Sequence, residues 1–222
     1  MYYYKPQPED YRKNEMADSQ LNDRIMATFD ALQAMGKDPA KIAWGFADEV
    51  AAQLHSNNAR FWSFQPYLPR KVNTSLSSQS FFGFYALQGN SYLTVLSQGK
   101  TADIQKALLE VKQAHSQYQA LVIFWDNAAT HRALQTWAWE RQIYLIAIPP
   151  YSPDLNPIER VWKSVKRWVN QTQFVKEIKD LVPLFQEGFN RFKNSPSFTN
   201  GWWLKYADRL PWYSAIFDSN TF

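Results

Sequence analysis

Apolar residues recur at every third or fourth position through Leu21, Ile25, Phe29, Leu32 and Met35, and Gly36 followed by Pro39 supplies a stop. This spacing predicts one amphipathic helix ahead of the main fold. The period then changes to two. In Lys41-Ile42-Ala43-Trp44-Gly45-Phe46-Ala47-Asp48 the bulky residues alternate with Ala or Gly, which predicts a central strand closed by Asp48, with a helix packed on its small-residue side. Asp48 shares the face of Ile42, Trp44 and Phe46. Further strand signal lies in Arg60-Phe61-Trp62-Ser63-Phe64, Ser80 to Leu87 and Tyr92 to Leu96, with Gln88-Gly89-Asn90 as a hairpin between the last two. Beyond residue 100 the pattern alternates: a helix over about 102–118, the apolar run Leu121-Val122-Ile123-Phe124-Trp125, a helix over about 130–141, and a strand from Ile143 to Ile148. Antiparallel strands followed by alternating strand and helix predict an α/β fold, a mixed sheet flanked by helices.

The last third reads as helical. Ile158, Val161, Trp162, Val165, Trp168 and Val169 form one apolar face, with Arg160, Lys163, Lys166 and Arg167 on the remainder. A second helix carries Phe174, Ile178, Leu181, Phe185 and Phe189, with Pro183 expected to kink it. Residues 1–17 read as a polar, extended lead-in. The tail from Asn194 holds Trp202, Trp203 and Trp212 without a period, leaving a stacking or partner-binding role open there.

Composition narrows the chemistry. The chain has 222 residues, enough for one domain with short appendages, and it has no cysteine and three histidines. Disulfide scaffolds, thiolate zinc sites, iron–sulfur clusters and thiol nucleophiles are excluded, so any metal chemistry falls to carboxylates or histidine. A net charge of +4 leans toward an anionic partner. The start, Met1-Tyr2-Tyr3-Tyr4-Lys5-Pro6, lacks the apolar core of a signal peptide, and the longest apolar run is too short to span a bilayer. The expectation is a soluble, cytoplasmic protein with no membrane partner.

Two acids sit at strand ends, Asp48 and Asp126, where open α/β sheets build their sites; a turn or helix cap is the competing reading of each. A third acid opens the basic helix in Pro150-Tyr151-Ser152-Pro153-Asp154-Leu155-Asn156-Pro157-Ile158-Glu159-Arg160-Val161-Trp162. Here Asn156 fits an N-cap, Pro157 the first helical position, and Glu159 either the reciprocal half of a capping box or a metal ligand. Asn127 reads as an orienting neighbour of Asp126 or an Asx turn. His131 reads as a substrate contact or a helix-start residue, and His55 and His115 as surface residues. For Arg160, Lys163, Lys166 and Arg167 the readings are a solvated face, with Glu159 and Lys163 spaced as an i,i+4 pair, or a surface for an anionic partner, which Arg60, Arg70 and Lys71 would extend.

The segment from Trp125 to His131, together with Ser152-Pro153-Asp154-Leu155-Asn156-Pro157-Ile158-Glu159, resembles the catalytic core of DDE-type transposases, and among them the bacterial insertion-sequence branch of the mariner superfamily. Phe46-Ala47-Asp48-Glu49 resembles the first-acid motif. The resemblance covers about residues 41–170. It implies a ribonuclease H-like fold and an enzyme that hydrolyses DNA at element ends and transfers the 3′-hydroxyl into target DNA. Asp48, Asp126 and Glu159 would then hold two Mg²⁺ or Mn²⁺ ions, with Asn127 and His131 behind them and Arg160, Lys163, Lys166 and Arg167 on DNA. It implies a homodimer during synapsis, acting at the nucleoid. The expected organisation is a lead-in and helix over 1–40, left from a DNA-binding region, a catalytic domain over 41–172, and a helix with a Trp-rich tail over 173–222. Helix-turn-helix recognition would come from a separate subunit or a frameshifted part. The alternative is an inactive remnant that only binds DNA or assembles.

Overall fold

The computed structural model describes residues 12, 14–55, 64, 71–126, 133–172 and 174–202. Its elements are α1 (Ala17–Ala34), β1 (Ile42–Gln53), β2 (Ser78–Gln88), β3 (Tyr92–Leu96), α2 (Thr101–Ala114), β4 (Ala120–Trp125), α3 (Gln135–Trp139), β5 (Ile143–Ala147), α4 (Ile158–Thr172) and α5 (Ile178–Phe192). The strands form one sheet in the order β3-β2-β1-β4-β5. β1 pairs antiparallel with β2 and parallel with β4, β2 antiparallel with β3, and β4 parallel with β5, so the sheet is mixed as the strand pattern predicts.

Each face of the sheet follows from the alternation in β1. Ile42, Trp44, Phe46 and Val50 join Val122 and Phe124 in a core covered by α1, α4 and α5. The small residues Ala43 and Ala47 lie on the other face with Leu121, Ile123 and Trp125, covered by α2 and α3. All six residues of β4 are buried, which is why its sequence reads as an unbroken apolar run. α1 buries Leu21, Ile25, Phe29 and Leu32 but leaves Met35 exposed. It stops in a Schellman turn: Gly36 takes φ +72°, its N–H donates to the Gln33 carbonyl, and the Lys37 N–H donates to the Leu32 carbonyl.

Several boundaries differ from the sequence pattern. β1 runs five residues past Asp48 to Gln53, because β2 continues to pair with it after β4 has ended; Asp48 closes only the parallel part of the strand. α2 ends at Ala114, short of residue 118. Its following residue, His115, is fully buried, against the surface role expected of it. His115 Nε2 accepts from the Asn90 N–H at 2.9 Å, so Nδ1 carries the proton and donates to the Val111 carbonyl at 2.7 Å. Gly89, at φ +104°, has no Cβ to collide with that ring. α5 begins only at Ile178, and Phe174 is exposed outside it, while Pro183 lies inside the helix. Trp202 is core: its ring lies 5.1 Å from Phe46 and 5.4 Å from Phe124, centroid to centroid. Trp203, Trp212 and most of the Arg60–Phe64 segment lie outside the described residues.

Candidate active site

The three acids come to one face of the sheet. The parallel ladder ends where Phe46 faces Phe124; Asp48 follows two residues on in β1, Asp126 directly follows β4, and the two lie near enough for the charge of Asp126 to act on Asp48. α4 carries Glu159 in its first turn. Two adjoining clefts open here and share Glu159 as a common wall. One, of about 380 Å³, is lined by Asp126, the Ile148–Pro153 loop, Asn156 and Glu159. The other, of about 500 Å³, is lined by Asp48, Glu49, Glu159, Trp162, Lys163 and Lys166, among others.

Asp48 is the most constrained of the three. The Trp162 indole N–H donates to its Oδ2 at 3.0 Å, and the Glu49 backbone N–H donates to its Oδ1 at 2.8 Å. Burial nevertheless raises its carboxyl from 3.8 to about 7, and the charges of Glu159 and Asp126 push the same way against these two hydrogen bonds. Glu159 is an exposed residue, yet its carboxyl is partly shielded from water. That loss of water, with the charges of Asp126 and Asp154, raises its pKa too. The acids thus repel one another across a shared space.

The capping-box reading of Glu159 does not hold. The helix begins at Ile158, and the Asn156 N–H that a capping box would use already donates to the Pro153 carbonyl at 3.0 Å. The Asn156 side chain does not cap either: its Oδ1 is buried without a hydrogen-bond partner. No ion pair joins Glu159 to Lys163 among the described residues. The basic residues divide. Lys163 and Lys166 line the Asp48 cleft, whereas Arg160 and Arg167, although exposed, do not line it and lie about 80–100° round the helix from Glu159. Lys71 and His55 are exposed; Asn127, His131, Arg60 and Arg70 lie outside the described residues.

Sequence reasoning assigned Trp162 to the core alone. The available signal was its place three residues after Glu159, on the same side of the helix. It also passed over Tyr151, which has φ +56°, lines the Asp126 cleft and carries the Arg12 guanidinium 4.1 Å from its ring centroid.

Among the described residues no three His, Asp or Glu close on one point tightly enough to hold a metal ion as they stand. The donor chemistry nevertheless fits a hard divalent cation. Three carboxylates supply oxygen ligands, their mutual repulsion is what a cation would relieve, and the unpartnered Asn156 Oδ1 adds an acceptor on the same cleft wall.

The family model for DDE superfamily endonucleases matches residues 44–182, a span that includes all three acids. The chain belongs to this DDE endonuclease family. No curated protein matches it in sequence. Among solved structures, this chain is similar to the Mos1 mariner paired-end complex with Mn, at TM-score 0.62 and 15% identity over 100% of this chain and 68% of that one. It is similar to the Mos1 transposase paired-end complex with left transposon end at TM-score 0.61 and 15% identity, over 99% of this chain and 66% of that one. The Mos1 catalytic domain solved with Raltegravir and Mg gives 0.55 and 15%, covering 96% of this chain and 99% of that domain. The chain therefore spans about two thirds of the longer Mos1 proteins and nearly all of the isolated catalytic domain. The fold is ribonuclease H-like, with a mixed sheet of five strands among the described residues, flanked by helices. No described helix is long and apolar enough to cross a membrane.

Proposed function

We propose that this DDE endonuclease is the catalytic part of a transposase, over about residues 41–172. It hydrolyses DNA at the ends of a mobile element and joins the freed 3′-hydroxyl to target DNA. The observation that carries the reading is the electrostatic coupling of Asp48, Asp126 and Glu159 across two adjoining clefts, of which the Asp48 cleft is bordered by Lys163 and Lys166. Support comes from Mos1, solved as a strand transfer complex and as paired-end complexes with Mn and with Mg.

In this reading Asp48, Asp126 and Glu159 would hold two Mg²⁺ or Mn²⁺ ions, which supply charge relief at the leaving oxygen and activation of the attacking one. The protein's own residues do the rest. Lys163 and Lys166 bind phosphates on either side of the reacting bond and so fix the strand in the Asp48 cleft. Asn156 Oδ1 accepts from a water or sugar hydroxyl held beside Asp126, and Asn127 and His131 orient groups around that acid. Arg160 and Arg167 bind DNA further from the reacting bond. Two copies act together at paired ends, with end recognition supplied by a helix-turn-helix part, as the likeness to the bacterial insertion-sequence branch suggests.

Glu159→Gln tests the assignment. Because Glu159 makes no capping bond and its charge is repelled by the neighbouring acids, the variant is expected to fold and to be at least as stable as the parent at neutral pH. It is expected to abolish Mg²⁺-dependent nicking of DNA carrying the element's ends. Undiminished nicking by the variant overturns the role of Glu159. Absence of nicking by the parent, with a helix-turn-helix partner supplied, supports a remnant that only binds DNA.

A further inference from the structure

We infer that Trp162 is the positioning residue of this site: its indole N–H fixes the Asp48 carboxylate from a notch left open by Gly83, so the helix that delivers Glu159 also sets the first acid. The inference rests on the reading of Asp48 as a metal-binding carboxylate.

The geometry is specific. Asp48 and Gly83 are direct partners across the β1–β2 ladder, so any side chain at residue 83 would stand next to the Asp48 carboxylate on the same face. A Cβ built on Gly83 falls on Cη2 and Cζ2 of the Trp162 ring; that ring occupies the space an ordinary strand residue would fill. The rest of the indole is held between helices, 6.1 Å from Phe185 and 5.6 Å from Phe189, and Trp162 is 4% exposed. Packing therefore aims the N–H at Asp48 Oδ2.

The choice of donor is chemically apt. An Arg or Lys in this place would neutralise Asp48 and compete with a cation for it. An indole N–H donates one hydrogen bond and carries no charge. With Oδ1 held by the Glu49 N–H, both oxygens are oriented while each keeps a second lone pair that neither donor uses. Outer hydrogen-bond partners of this kind are worth roughly 10–100-fold in metal affinity.

The test is Mn²⁺ binding by calorimetry on the parent, Trp162→Phe, and Trp162→3-benzothienylalanine, which exchanges the N–H for sulfur in a ring of nearly the same shape. Leu108→Ala, in the core on the opposite face of the sheet, is the packing control. The inference expects at least a tenfold weaker Mn²⁺ affinity in both Trp162 variants, with nicking partly restored by raised Mn²⁺. It expects a lowered melting temperature but parent-like Mn²⁺ affinity in Leu108→Ala. Parent-like Mn²⁺ affinity in the benzothienyl variant overturns it, whatever the phenylalanine variant does. Absence of Mn²⁺ binding by the parent overturns the underlying reading of Asp48 and the inference with it, a result distinct from parent binding that the Trp162 variants retain.

Discussion

Replacing Asp48 by Asn isolates the electrostatic cost of the site. The Asp48 carboxyl titrates at about 7 in the folded chain against 3.8 unperturbed, through burial and the charges of Glu159 and Asp126. The folded protein thus holds this proton more tightly than the unfolded chain does. Its contribution to stability is greatest below pH 4 and is lost as pH rises through 7. The difference between those values corresponds to about 4 kcal/mol between the two limits. Asn has no such proton, so urea melts in EDTA are expected to show the variant gaining on the parent by about that amount from pH 4 to pH 8. A constant offset opposes the variant, because an amide oxygen can accept from only one of the Trp162 and Glu49 donors; it amounts to about 1–2 kcal/mol at every pH. His115 titrates with the opposite sign over part of this range, but it is present in both proteins and cancels. Saturating Mn²⁺ is expected to close the gap at pH 8 by stabilising the parent alone. Parallel stability curves for parent and variant in EDTA would refute the reasoning.

Two further outcomes follow from the same structure. Changing Lys163 and Lys166 together to Ala is expected to lower the slope of log affinity for duplex DNA against log salt by about 2 and to slow nicking, whereas the Arg160 and Arg167 pair lowers the slope by less than half of that and spares the nicking rate of bound DNA; filter binding across a salt series separates the two. Burial lowers the His115 pKa, so the neutral ring belongs to the fold and stability is lost as pH falls below about 6.5 toward the folded value. His115→Leu is expected to cost about 2–3 kcal/mol near neutral pH, by leaving the Asn90 N–H and the Val111 carbonyl without their partner, and to flatten the acid limb of the stability curve.

Much of the site is legible in the sequence because the strand period is two. Ile42, Trp44, Phe46 and Asp48 alternate with Ala and Gly, which assigns the acid to the bulky face before any neighbour is known, and the buried β4 run ends at the second acid. The extension of β1 to Gln53 is not legible. Val50-Ala51-Ala52-Gln53 carries little alternation, and what keeps it extended is pairing with β2, a contact made across the sheet. His115 looks solvated because it follows an amphipathic helix; only the turn at Gly89, remote in sequence, supplies the donor that buries it. Asn156-Pro157-Ile158-Glu159 fits a capping box by spacing, but the short 3-10 turn at Pro153–Leu155 takes the N–H the box needs. Trp202 lies in a stretch without a period, and its place beside Phe46 and Phe124 depends on the tail returning across the sheet. Trp162 reads as one more apolar helix residue until Gly83 is found opposite Asp48.

The central claim is that Asp48, Asp126 and Glu159 act as one cation-binding group. A crystal grown with Mn²⁺ and measured at a wavelength where manganese scatters anomalously tests it without reference to any reaction. The account predicts anomalous peaks within coordination distance of all three carboxylates, with the Trp162 N–H still on Asp48. Anomalous density confined to other acidic residues, with these three carboxylates apart, would contradict it.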